Sequence, residues 1–183
     1  MASKAGNTRN GIPWRIVGWG TAVVLLTLPA VLGAPWTIED YVFASVMFGI
    51  VGGLIELAVR TSRNPWYRGG ALIAVAASFL LVWINGAVGI IGDEGNPANF
   101  MFLAVILIAL AGAIVARFRA DGMARAMAVV AAAQALVGVV AGAYRLGASE
   151  PPGLLGVLIL IGGFTGMWGV SALMFRKAAQ AAA

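Results

Sequence analysis

The chain has no cysteine and no histidine. The first absence excludes a disulfide and leaves the redox compartment unread. The second excludes histidine metal sites, histidine haem ligation and a nucleophile activated by an imidazole base. Charge is scarce, at 10% of residues, where a soluble domain carries about 25%. Lysine occurs only at Lys4 and Lys177, so no lysine is available inside an apolar span for a Schiff base. The apolar runs lack a period of two, so strands are not expected. No catalytic residue, metal site or cofactor is expected from this inventory, and enzymatic chemistry is the least supported class.

What is present is apolar. Of 183 residues 61% are hydrophobic, and the mean hydropathy is +0.95. A soluble core of this size cannot bury so much, so the expected solvent is lipid. Six apolar runs of about twenty residues, the length that crosses a hydrocarbon core, fall at 14–34, 38–60, 70–92, 98–118, 122–146 and 153–175. The breaks carry turn chemistry: Gly33-Ala34-Pro35, Asn64-Pro65, Asn96-Pro97, Asp121-Gly122 and Pro151-Pro152-Gly153. A cleaved signal peptide is the rival reading of the first run. Its apolar stretch is long for that role and Pro35 follows Gly33-Ala34, so an uncleaved span is expected. The expectation is an all-α integral membrane protein, six helices in a compact antiparallel bundle. Residues 1–13 form a polar tail, 14–177 one transmembrane domain, and 178–183 a short tail.

The net charge of +5 needs no nucleic acid to explain it. In a six-span topology eleven of the twelve basic residues fall on one side, Arg145 being the exception. By the positive-inside rule that side and both termini are cytoplasmic, which points to a bacterial cytoplasmic membrane. Trp14, Trp36, Trp66 and Tyr67 sit at expected span ends, where interfacial aromatics belong.

Helical spacing sorts the spans. Gly49, Gly52 and Glu56 share a face with Arg60. A helix expected to run from Asn85 through Asp93 puts Ser78, Asn85, Gly89 and Asp93 on one face. Gln134, Gly138, Gly142 and Arg145 line up, as do Gly162, Gly166 and Gly169. Small-xxx-small stripes are the ordinary interface of membrane helices, so these glycines are read first as packing surfaces. Spans two, three, five and six are expected to meet at the centre. The fourth, nearly pure aliphatic, is expected to face lipid. On that sorting Gly166→Leu and Gly89→Leu disrupt the fold and Gly112→Leu is mild.

Five polar residues are candidates for a pathway: Asn85, Gln134, Glu56, Asp93 and Arg145. Each has a plainer role. Asn85 and Gln134 can bond neighbouring helices. Glu56 stands four residues before Arg60, the favourable order for an ion pair, although an ionisable residue within a span is a functional candidate by default. Asp93 can sit at the outer interface, and Arg145 can pair with Asp93, Glu94 or Glu150. Asn96-Pro97 reads as a helix cap followed by proline in the first turn.

Two function classes follow. One is a small channel or carrier for a solute or ion. The other is a non-catalytic accessory or scaffold subunit, or a lipid-binding protein, with lipid, a second copy or other membrane subunits as partners. The topology is testable directly, because the chain has no native cysteine. Cysteine at Ser62, Ala120 or Ala179 is expected to be shielded from an impermeant thiol reagent outside intact cells, and cysteine at Gly95 or Ser149 to be labelled. External labelling at Ala120 would sink the six-span topology.

Overall fold

The computed structural model describes residues 14–181. The expected polar tail with Lys4 and Arg9 lies outside the described residues. Six helices are present and, among the described residues, no strand. They are α1 (Trp14–Val31), α2 (Ile38–Thr61), α3 (Pro65–Ala87), α4 (Phe100–Val115), α5 (Ala120–Ala143) and α6 (Gly153–Gln180). A 3-10 turn, Pro97–Asn99, leads into α4. Five of the six, α2 to α6, are long and apolar enough to cross a membrane; α1 offers the shorter stretch Arg15–Val31.

Local chemistry explains the boundaries. Asn64 Oδ1 accepts from the Trp66 amide at 2.9 Å with Pro65 in the first turn of α3. Asn96 Oδ1 does the same for Ala98 at 3.0 Å, with Pro97 following. Both caps satisfy a donor that the helix start leaves free, and proline has no such donor to lose. At α2 the cap is reciprocal. The Thr37 amide donates to Asp40 Oδ2 at 2.7 Å and the Asp40 amide to Thr37 Oγ1 at 3.4 Å, a capping box with aspartate in place of glutamate.

The chain divides into two units, with the boundary inside α2 at Gly52 and Gly53. In the first, α1 and the leading part of α2 approach through Gly52. A Cβ there would meet the Trp19 ring at 2.7 Å.

The second unit has its core among α3, α4, α5 and α6. Trp168, Phe102, Phe175 and Leu81 are its largest fully buried side chains. Positions on α5 that meet α6 fix the direction of that pair: Gly138 lies against Ile161 and Gly142 against Leu158. Partners fall as numbers rise, so the two helices run in opposite senses. The same holds for α4 and α5, where Gly112 lies against Ala126 and Gly122 against Ala116. Between α3 and α6 the contact is Gly70, whose Cβ would sit 3.2 Å from the Ser171 carbonyl oxygen. The Ser171 hydroxyl, fully buried, donates to the Gly70 carbonyl at 2.8 Å. A buried hydroxyl in an apolar setting needs such a bond, and glycine lets the backbone come close enough to make it.

Three expectations are corrected. First, α4 does not simply face lipid. Phe102, Val105 and Ala109 form a buried stripe on it while Leu103, Leu107 and Ile114 are exposed. An all-aliphatic helix carries no polar face to show which side packs, so composition could not reveal this. Second, the glycines of α6 do not line its contacts: at Gly162, Gly166 and Gly169 a Cβ would meet nothing within 4 Å outside the helix's own turn among the described residues, and the same holds at Gly49. The buried face of α6 is instead Val157, Ile161, Phe164, Trp168, Ser171 and Phe175. Third, span ends move: α3 starts at Pro65 and stops at Ala87, and α6 continues to Gln180.

These corrections reverse the expected glycine series. Gly112→Leu is now expected to cost about 1–3 kcal/mol by overpacking, because a Cβ already meets that of Ala126 at 2.9 Å. Gly166→Leu is expected to be near neutral. Melting in detergent checks the order, and equal losses at the two positions would contradict this packing.

Candidate functional site

Most polar residues of the second unit gather in two groups, one at each end of a largely apolar middle. At one end the chain leaves α3 early. The stretch Asn85–Asp93 is not one helix. Its backbone turns at Gly89 and Gly92, with φ of +74° and +67°. Those angles are left-handed and suit glycine. A Cβ at Gly89 would collide with the Asp93 backbone, so the chain closes on itself at that point. Ile90 and Ile91 turn inward and are fully buried.

One side chain holds this loop. Asn99 Oδ1 accepts from the amides of Ile90 at 3.3 Å and Ile91 at 3.0 Å. Its Nδ2 donates to the carbonyls of Ile91 at 3.3 Å and Asp93 at 2.7 Å. Asn85 Nδ2 donates in turn to the Asn99 backbone carbonyl at 3.2 Å. A planar amide with two acceptor sites and two donors is thus fully used. The expected alignment of Asn85 with Asp93 along one helix face is therefore corrected. Asn85 is bonded to Asn99, and Asp93 has an exposed side chain in the loop. Glu150 lies beside Gly92, and Gly147 beside Ile91, so the turn after α5 meets this loop. Arg145, at the same turn, is exposed with φ +51° and makes no ion pair among the described residues.

At the other end Tyr67 Oη donates to the Phe118 carbonyl at 2.7 Å and its ring packs edge-on against Phe175. Arg68 donates to the carbonyls of Ser62 at 2.8 Å and Val59 at 3.0 Å, clasping the turn between α2 and α3. Lys177 lies over the Trp66 ring, 4.5 Å from its centre. Thr61, Ser62, Asn64, Arg117, Arg119 and Ala179 line one open hollow here. The basic turns expected on one side are in fact neighbours. Glu56 lies near this end, with Arg60 Nε donating to Glu56 Oε1 at 2.7 Å.

The middle is apolar. A cleft of about 90 Å³ is walled by Leu54, Leu57, Ala71, Ala74, Val75, Ala109, Ala113, Met123, Met127 and Trp168. Its hydroxyl groups are engaged: Tyr67 with Phe118, and Ser78 with the Ala74 carbonyl at 2.9 Å. The Trp168 indole N–H, fully buried, has no hydrogen-bond partner among the described residues. Gln134 is also fully buried, and neither atom of its amide has a partner among the described residues. Neither Gln134 nor Asn85 lines the cleft. The described residues hold no cluster of acidic side chains able to take a metal ion.

Sequence reasoning singled out Asn85 and Gln134, passed over Asn99, Ser171 and Trp168, and read Tyr67 as an interfacial aromatic where the structure buries it in the core. The signal for Asn99 was present as Asn96-Pro97-Ala98-Asn99, a second asparagine just after a cap, preceded by four glycines spaced three apart, Gly86, Gly89, Gly92 and Gly95. Asn99→Ala is expected to strand two amides and the Ile91 carbonyl, the Asp93 carbonyl keeping the Asn96 amide, and to cost at least about 2 kcal/mol. Asn85→Ala, which loses one bond and also removes a buried oxygen that has no partner, is expected to cost less than about 1 kcal/mol. Thermal melting of the two variants in detergent checks the ranking.

Comparison of the chain with protein-family models, curated proteins and solved structures finds no match.

Proposed function

We propose that this chain is a non-catalytic, multi-pass protein of the bacterial cytoplasmic membrane that binds a lipid-like guest between its helices. The basic end of the second unit would face the cytoplasm, following the positive-inside rule. The observation that carries the reading is the apolar cleft walled by side chains of α2, α3, α4, α5 and α6, Trp168 among them. Apolar walls with a few placed polar groups are the ordinary form of a small-molecule site. A guest with an alkyl body matches these walls. The polar side chains around the cleft are engaged in holding turns and helix pairs, which supports a binding role over a water-filled path.

A second reading, a carrier or channel for a small solute, is favoured by one observation: the Gln134 amide is buried with neither atom bonded. Gln134→Leu separates the two. Under the guest-binding reading it stabilises the protein, because an unpaired buried amide is removed, and guest retention stays. Under the carrier reading it abolishes flux in liposomes.

Filling the cleft tests the proposal itself. Ala113→Leu or Ala74→Leu is expected to leave the melting temperature unchanged or raised, as cavity filling commonly does. Both are expected to reduce quenching of Trp168 emission by a lipid brominated on its acyl chain. The Trp168 contribution is obtained by difference from Trp168→Phe, since the chain has six tryptophans. Quenching that is unaltered by both fillings would refute a guest in this cleft.

A further inference from the structure

The outer face of the pair α4 and α5 carries a second feature, separate from the cleft. The two helices touch through small residues, Gly112 against Ala126 and Gly122 against Ala116. Ala111 and the small residues of these contacts form the floor of the surface there. The result is an open groove of about 900 Å³ whose apolar walls include Ile108, Val115 and Val129. Its volume lies within the range of ligand sites, about 300–1,000 Å³.

The groove ends at the turn between the helices, and that end is cationic. Arg117, Arg119 and Arg125 line it, with Asp121 as the one carboxylate. Arg125 Nη2 bonds Asp121 Oδ2 at 2.9 Å, and Arg119 Nε stands 3.9 Å from Asp121 Oδ1. Arg117 has no side-chain partner among the described residues. It also has φ +48°, and Phe118 next to it has φ +57°. Two successive non-glycine residues in this region are costly, about 1–3 kcal/mol each, and persist only where their surroundings hold them. Here the Phe118 carbonyl is held by Tyr67. Three guanidiniums facing one carboxylate leave a surplus of positive charge at the mouth of an apolar channel.

We infer that this groove seats an anionic phospholipid, its phosphate at Arg117, Arg119 and Arg125 and an acyl chain against Ile108, Val115 and Val129. A guanidinium matches a phosphate through paired donors. The distance from Ile108 to Val115 along α4 is about 10 Å at 1.5 Å per residue, which covers the first several methylenes of a chain. A soluble anion would match the mouth and leave the apolar walls without an occupant. Those walls belong to the segments Pro97–Val115 and Ala120–Ala143, of mean hydropathy 2.5 and 2.0. The occupant therefore carries both parts. The site depends on the membrane setting and not on a guest in the cleft.

The test uses the full-length protein in mild detergent, titrated with phosphatidylglycerol or phosphatidylcholine, with bound lipid counted by native mass spectrometry. Phosphatidylglycerol is expected to be retained better. Arg117→Asn deletes the charge and keeps a residue that tolerates the left-handed backbone. It is expected to lower phosphatidylglycerol retention about fivefold, the effect of one cation near an anionic surface. Ala111→Phe, at an exposed position in the groove wall, narrows the apolar part without touching a charge and is expected to lower retention of both lipids. Arg176→Gln removes a charge outside the groove and is expected to change neither. If Arg117→Asn alters melting, Arg125→Gln reads the same site. Equal retention of the two lipids overturns the inference. So does a loss at Arg176→Gln equal to that at Arg117→Asn, or displacement of phosphatidylglycerol by millimolar inorganic phosphate.

Discussion

Backbone that leaves a helix in an apolar setting must find partners for its peptide groups, because hydrocarbon supplies none. This constraint decides what Asn99 does and, through it, the shape of one end of the second unit. The loop between α3 and α4 brings Ile90 and Ile91 into the core, so their peptide groups come with them. A side chain that both accepts and donates can bond two amides and two carbonyls at once. Asparagine is short enough to do so from the turn that starts α4. Aspartate would accept twice and donate nothing. The loop is therefore a built element in which burial of two isoleucines and satisfaction of their backbone come from one residue.

The same constraint governs how the helices meet. In lipid there is little gain in merely removing apolar surface, so close backbone approach and internal hydrogen bonds do more. Each main pair in the second unit has such a contact: Gly70 with Ser171, Gly112 with Ala126, Gly138 with Ile161. The first adds a hydroxyl bond across the helices. Where α4 and α5 meet through small residues, their surface is left hollow, and the groove there is a direct product of that packing.

Much of the fold was legible in the sequence, and for identifiable reasons. Asn64-Pro65 and Asn96-Pro97 mark helix starts because cap and proline act through their own covalent structure. Six apolar runs became six helices because length and hydropathy need no tertiary information. Faces were less legible. A glycine at helical spacing reads the same whether it packs, as Gly138 does, or stands open, as Gly166 does. Gly89 looked like a packing residue and is a turn residue, because its role depends on a backbone angle set by Asn99 ten residues later. The buried stripe of α4 was invisible for want of contrast. Of the candidate polar residues, Asn85 and Gln134 are buried in part or fully, whereas Asp93 and Arg145 are at the surface.

Two polar groups remain unaccounted for by packing. Asn99, Ser171, Tyr67 and Arg68 each tie one element to another. Gln134 and the Trp168 indole tie nothing among the described residues, although both are fully buried. A buried polar atom without a partner costs about 1–3 kcal/mol. Apolar residues of similar size would avoid that cost in either place. Trp168 has a reason to be tryptophan, since its ring fills the largest volume in the core and forms a wall of the cleft. Gln134 has no such reason, because leucine would pack there at least as well. Of the two, Gln134 is the residue on which the carrier and guest-binding readings part, since only the first gives its amide a task.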